Sequence, residues 1–234
     1  MVDSLVARAR QVWMELAGVP VAFPTAGIAV VTSEKSLLCP PGWAGIVVLG
    51  DAGIATVPAD GVGAALADLP VGTATEVGAV RARLAPVETL GPATLAYLDP
   101  IGFVPAGRSA AVEELPSGHA AVGRLVASVS AEDAGECGLD EITSPAFVVR
   151  EGGKVVAAAG YHHWPASVAH LSVLTGDRCR GRGLAGLVAS AAVADALGRG
   201  LLPQWRARPV ASRRVAGRLG FRELGAQLSL RLPA

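Results

Sequence analysis

The chain has 234 residues, with 20 Lys and Arg balanced by 20 Asp and Glu and a sequence pI near 6.9. No net field draws it to nucleic acid or to an anionic membrane surface. Its 51% hydrophobic content comes largely from alanine, valine and leucine, with only 4% aromatics, which excludes a disordered chain and predicts a core of small aliphatic side chains.

That length suits one large domain or two modest ones. Cys39, Cys137 and Cys179 are odd in number and widely spaced. They fit neither a disulfide framework nor a paired-cysteine metal clip, so no metal site is expected and a reducing cytoplasm is the simplest setting. The opening MVDSLVARARQVW carries Asp3 and lacks an unbroken apolar core, so it does not read as a secretory signal. The longest uncharged run, Val155 to Gly176, contains three histidines and Pro165 and reads as two strands and a turn, not a membrane span.

In chain order, residues 4 to 17 predict an amphipathic helix with Leu5, Val6, Ala9, Val12, Trp13 and Leu16 on one face, ended by Gly18 and Pro20. Short apolar runs follow at Gly27–Val31, Ala44–Leu49 and Ile54–Val57, punctuated by glycine and proline, and read as strands. Asp60–Leu69 and Thr75–Leu84 read as helices, the first with Asp60 as N-cap. Val87–Leu90 and Thr94–Leu98 read as two further strands. Ten of the 16 prolines fall in residues 1–105, which sets this half apart as a smaller α/β unit. It carries no motif with recognisable chemistry. Its expected role is a substrate-selecting cap, a degenerate partner domain, or cover for an exposed sheet edge.

Pro100–Gly107 reads as a linker, giving expected domains of 1–105 and 106–234. Beyond it, Ala110–Leu115 reads as a strand, and a helix opens at Ser117 or Gly118 with Ala121, Leu125, Val126 and Val129 facing the core. Ser130 then caps a helix with Glu132 and Asp133 in its first turn, kept short by Gly135 and Gly138. Ala146–Arg150 and Lys154–His162 read as paired strands joined by Gly152-Gly153, and His170–Thr175 as the next strand.

After that strand the apolar spacing turns helical at Leu184, Leu187, Val188 and Ala191. Between them lies Arg178-Cys179-Arg180-Gly181-Arg182-Gly183. Two glycines allow a tight turn and close approach of a ligand, and a helix starting near Gly183 aims unpaired N–H groups and its positive dipole end at that turn. The expected ligand is an anion such as phosphate or pyrophosphate. A P-loop is excluded because Leu184-Ala185 stands where Lys-Ser or Lys-Thr is needed. Gly181, Gly183 and Gly186 fit the dinucleotide spacing G-x-G-x-x-G, a pattern that 29 glycines also produce by chance.

A third reading has more support from its surroundings. Arg180-Gly181-Arg182-Gly183-Leu184-Ala185 resembles the R/Q-x-x-G-x-G/A motif of the GNAT superfamily of acyl-CoA-dependent N-acyltransferases. The order of elements continues the resemblance, with a strand at Leu202–Ala207, a helix at Ser212–Leu219 closed by Leu219-Gly220-Phe221, and a last strand at Glu223–Leu232. The resemblance covers roughly residues 109–232. It implies an α/β (α+β) fold with a mixed, mostly antiparallel sheet flanked by helices, and acetyl-CoA as acyl donor with coenzyme A as product. The acceptor it implies is a small-molecule amine, on a monomer or homodimer without nucleic-acid or membrane partners.

By the same resemblance, Arg180, Gly181, Arg182, Gly183, Leu184 and Ala185 hold the pyrophosphate, and Val173, Leu174 and Thr175 run beside pantetheine. Many members carry a general-acid tyrosine in the last helix, at the position of Ala216 here. Ser212 is a substitute donor, although capping its helix is the alternative role. For the base, His170 competes with Glu136 and Glu141, and His162 and His163 point to opposite faces of their strand. A coenzyme-binding module without catalysis remains a rival reading.

Overall fold

The computed structural model describes residues 4–59, 63–107 and 112–233. The expected Asp60 cap, and the first two residues of the strand expected from Ala110, lie outside them. The chain divides into two compact units. Unit 1 comprises Met1–Tyr97, Arg206–Pro209 and Glu223–Ala234, and unit 2 comprises Leu98–Trp205 and Val210–Arg222.

Unit 1 opens with α1 (Ser4–Leu16), which buries Leu5, Ala9, Val12, Trp13 and Leu16. The Trp13 indole donates to the Tyr97 hydroxyl at 2.6 Å, so the largest side chain of this core is satisfied where it is buried. Strands β1 (Gly27–Thr32), β2 (Ala44–Leu49) and β3 (Ala52–Val57) follow. The short α2 (Gly63–Ala67) and α3 (Val77–Leu84) come next. A single strand, β4 (Glu88–Tyr97), then replaces the two expected there, because the Gly91-Pro92 dipeptide falls inside the strand instead of ending it.

The strand that completes unit 1 comes from the far end of the sequence. β10 (Arg222–Arg231) pairs antiparallel with β2, Leu228 opposite Ile46, and the order in this unit is β1-β3-β2-β10-β4. Leu228 and Leu230 join Ile46, Ala55 and Leu66 in the core. Arg206 donates to Gln227 Oε1 at 3.2 Å.

Unit 2 takes over at Leu98, whose amide donates to the Pro203 carbonyl at 3.1 Å, so the segment expected as a linker belongs to its body. It contains β5 (Val112–Leu115), α4 (Ala120–Val126), α5 (Ala131–Cys137), β6 (Ala146–Glu151), β7 (Lys154–Trp164) and β8 (Val168–Thr175). Helix α6 (Leu184–Gly198), β9 (Leu202–Ala207) and α7 (Val210–Arg218) complete it. His119 caps α4 through Nδ1, which accepts from the Ala121 amide, and Ser130 caps α5. The strand order is β9-β8-β7-β6-β5, antiparallel except for the parallel β8–β9 pair. One side carries α4, α5 and a core of Leu125, Leu139, Ile142 and Leu174. Helix α6 packs on β6, β7 and β8 with Val188, Ala189, Ala192, Val193 and Ala196 buried, and these small side chains let it lie close to the sheet.

Candidate active site

Strands β8 and β9 pair over only three positions, Val168 with Leu202, Ala169 with Pro203 and His170 with Gln204. Beyond His170 the two diverge. On its other side β8 stays paired with β7 as far as Thr175 opposite Ala157. From Leu171 to Thr175, the β8 edge turned away from β7 thus has no strand in register with it among the described residues, and its backbone groups can bond an extended ligand as a strand would. Thr175 Oγ1, at the end of this edge, is buried without a protein partner.

The turn that follows is a short 3₁₀ segment, Asp177–Cys179, leading to Arg180, Gly181, Arg182 and Gly183. Gly181 and Gly183 have φ of 75° and 79°, a backbone region that costs an L-residue about 1–2 kcal/mol, and Gly183 is the N-cap of α6. A Cβ at either glycine would meet nothing within 4 Å, so each is needed for the path of the backbone and leaves open space beside it. The amides of Leu184 and Ala185 open the helix with no carbonyl of a preceding turn to donate to, and the helix dipole is positive there. The turn fits a bound pyrophosphate on these grounds.

Two of its arginines, Arg180 and Arg182, are committed to neighbouring acids. Arg182 donates to both carboxylate oxygens of Glu151, at 3.0 and 2.6 Å. Arg180 lies 2.8 Å from Asp177 and 3.0 Å from Asp133 on α5. The Ser130 hydroxyl and Arg180 hold the Asp133 carboxyl below its usual range, and Arg182 does the same for Glu151.

At the point of divergence, His170 Nδ1 is hydrogen-bonded to Gln204 Oε1. An amide oxygen only accepts, so Nδ1 carries the proton and the ring's basic lone pair is on Nε2. The ring stacks on Trp164, with centroids 4.1 Å apart and planes 13° off parallel. His162 lies directly opposite His170 and Gln204 on its other side, so the three form a row across three strands. His162 Nδ1 donates to the Glu141 carbonyl at 2.6 Å, which brings the loop after α5 to this row. His163 is on the other face, 2.7 Å from Thr143 Oγ1 and edge-on to Tyr161.

The remaining candidates are more scattered. Val173, Leu174 and Thr175 lie on β8 and Arg180 to Ala185 in the turn, as one continuous run. Glu136 is exposed on α5, and the Glu141 side chain is exposed while its carbonyl holds His162. Ser212 does not cap α7, since the helix begins two residues earlier at Val210. Its hydroxyl instead accepts from the Trp205 indole at 3.0 Å. Trp205 is buried edge-on against Phe221, and Ala216 is buried at 2% exposure.

Sequence reasoning missed Gln204 and Glu151. Gln204 carried a usable signal, being the one polar side chain within the buried run Leu202–Trp205. Glu151 carried none, because only the β6–β7 pairing brings it near the turn. The dinucleotide reading fails on two observations. The sheet of unit 2 is mostly antiparallel, and a Cβ at Gly186 would meet nothing within 4 Å, so the third glycine is not needed for close helix–strand packing.

Comparison with known proteins agrees with this geometry. The GNAT acetyltransferase family model matches residues 144–226. Among solved structures, a protein described as a GNAT-family acetyltransferase from Novosphingobium aromaticivorans superposes with a TM-score of 0.51 at 22% identity, covering 64% of this chain and 67% of that one. A GCN5-related N-acetyltransferase from Kribbella flavida gives a TM-score of 0.51 at 17% identity, covering 68% of this chain and 64% of that one. These matches span about two thirds of each relative's length, and at such identities the likeness is one of fold. No curated protein matches by sequence. The matched residues 144–226 hold the strand divergence, the glycine turn and the histidine row, and it is this part of the chain that is similar to the GNAT acetyltransferase family.

Proposed function

We propose that unit 2 transfers an acetyl group from acetyl-CoA to the primary amine of a small molecule. The observation that carries this reading is the divergence of β8 and β9 at His170, on the same strand that leads into the glycine turn. Thr175 lies five residue steps along the strand from His170, about 16 Å, and the turn lies beyond. A ligand that reaches both places must have an anionic end and a long arm, as coenzyme A has.

In this reading the amides from Gly181 to Ala185 hold the pyrophosphate, with Arg180 and Arg182 adding charge. The open edge at Val173, Leu174 and Thr175 bonds the pantetheine amides. The thioester supplies an activated acyl group. The acceptor arrives as an ammonium and gives a proton to His170 Nε2, with Glu136 and Glu141 as rival bases. Its nitrogen then bonds to the carbonyl carbon as the C–S bond breaks. The nitrogen loses its second proton as the amide forms, and this proton replaces the one that the leaving sulfur takes from water or from Ser212.

Thiol release from acetyl-CoA with a panel of amines tests the activity, alongside calorimetric titration with CoA and with NAD. The expected outcome is amine-dependent turnover, one CoA bound per chain and no binding of NAD. A second reading, a coenzyme-binding module without turnover, is favoured by Ala216, buried where many family members carry a tyrosine. Tight CoA binding with no thiol release from any amine would establish it.

A further inference from the structure

Gln204 has a second half that the pairing with His170 leaves unused. The residue is 0% exposed, its Oε1 is taken by His170, and its Nε2 is buried with no hydrogen-bond partner in the protein. A buried amide N–H without an acceptor is costly, and folded proteins place such groups where something else supplies the oxygen. Gln204 also occupies the last paired position of β8 and β9, so this N–H lies where the two strands begin to diverge. It belongs to the same planar group that fixes the His170 ring.

We infer that Gln204 binds the acyl carbonyl of the donor: Nε2–H donates to the thioester oxygen while Oε1 holds His170 in the tautomer with its lone pair on Nε2. This rests on the acyltransferase reading above. As the amine nitrogen bonds to the carbonyl carbon, negative charge gathers on the carbonyl oxygen, and a donor fixed beforehand in a dry site stabilises it. The charge passes to sulfur when the C–S bond breaks, and the proton from the amine stays on His170. One amide therefore aligns the base and the electrophile together. A carboxylate on the acceptor amine is the other oxygen that could reach the same N–H. The thioester carbonyl is favoured because the open β8 edge leads from the glycine turn to this residue.

The test compares acetyl-CoA with S-ethyl-CoA, a thioether of similar size that lacks the carbonyl oxygen, by calorimetry on the full chain. The parent protein is expected to bind acetyl-CoA about five- to tenfold more tightly, the size of one net hydrogen bond. In Gln204→Met this preference should fall to near unity while affinity for CoA itself stays the same. In Gln204→Glu, which keeps the acceptor for His170 and loses the donor, the preference should also vanish. Equal affinity of the parent for the two thio compounds overturns the inference, as does a preference that survives in Gln204→Met. An oxygen preference seen only between amines with and without a carboxylate also overturns it, assigning the N–H to the acceptor. If no CoA compound binds at all, the acyltransferase reading falls first and the inference with it. Should the variants not fold, the side-chain amide protons of Gln204 in the parent give a direct readout by NMR. They should shift with acetyl-CoA and not with S-ethyl-CoA, and identical responses reject the assignment.

Discussion

Arg182 and Glu151 face each other across the mouth of the glycine turn in a two-point ion pair, 3.0 and 2.6 Å, although 31 residues separate them in sequence. An arginine on the turn proposed to bind pyrophosphate is thereby paired before any anion arrives. Glu151→Gln should free it and tighten CoA binding about two- to threefold at low salt, with the gain fading above ~0.5 M salt. Calorimetry at two ionic strengths measures this. Weaker binding in the variant would mean that Glu151 holds Arg182 in place for the phosphate. Because Arg182 depresses the Glu151 carboxyl from its ordinary 4.5, the pair's contribution is present above that value and is lost as pH falls below it.

Gly183→Glu places a side chain and a negative charge beside the open amides of α6. The fold should survive, since the new Cβ meets nothing. The left-handed backbone there costs about 1–2 kcal/mol, a drop of several degrees in Tm. CoA affinity should fall more than tenfold, through loss of the dipole and amide contacts. Circular dichroism and calorimetry on the same sample separate the two effects. A variant that binds like the parent would remove the turn from the site.

Gly186→Ala should raise stability by about 0.5–1 kcal/mol, because glycine inside a helix loses more backbone entropy than alanine. The space beside it is open. Chemical denaturation measures the change. Destabilisation would revive the dinucleotide reading, in which this glycine allows close helix–strand contact.

With His170 as base, the rate should fall at low pH as the ring is protonated, and His170→Gln should abolish that limb and lower kcat. A full-rate variant with an unchanged limb would move the role to Glu136 or Glu141. Tyr161 should contribute no limb near its ordinary value of 10. Burial, and the Asp195 carboxylate that accepts its hydroxyl proton, push its titration upward. Tyr161→Phe gives up that bond and should cost about 1–2 kcal/mol of stability. A high-pH limb that persists in Tyr161→Phe and moves with the pKa of the acceptor belongs to the amine.

Local features were legible in the sequence because their causes are local. Ala44–Leu49 forms the strand its apolar run predicts, and Ser130 caps α5 as its acidic first turn implies. The glycine turn was legible because positive φ at Gly181 and Gly183 demands a residue without Cβ. Illegible features depend on contacts between distant segments. Neither the meeting of Arg182 with Glu151 nor that of His170 with Gln204 follows from spacing, since each is created by strand register. Ser212 was misread as a cap because Val210 and Ala211 give no periodic signal, and the Trp205 indole that engages its hydroxyl lies outside the helix.

The placement of β10 between β2 and β4 has a consequence for synthesis on the ribosome. Residues 44–49 and 88–97 are made early, yet the strand that lies between them, with Leu228 and Leu230 packed in the core beside Ala44, Ile46 and Val48, is made more than a hundred residues later. Until then, unit 1 exposes an apolar β2 edge open to pairing with other chains. Unit 2 contains β5 to β8 and α6 in one uninterrupted stretch and can settle first. The half that begins the chain is therefore the half that finishes folding, and its β2 edge is the surface open to misassociation over that interval.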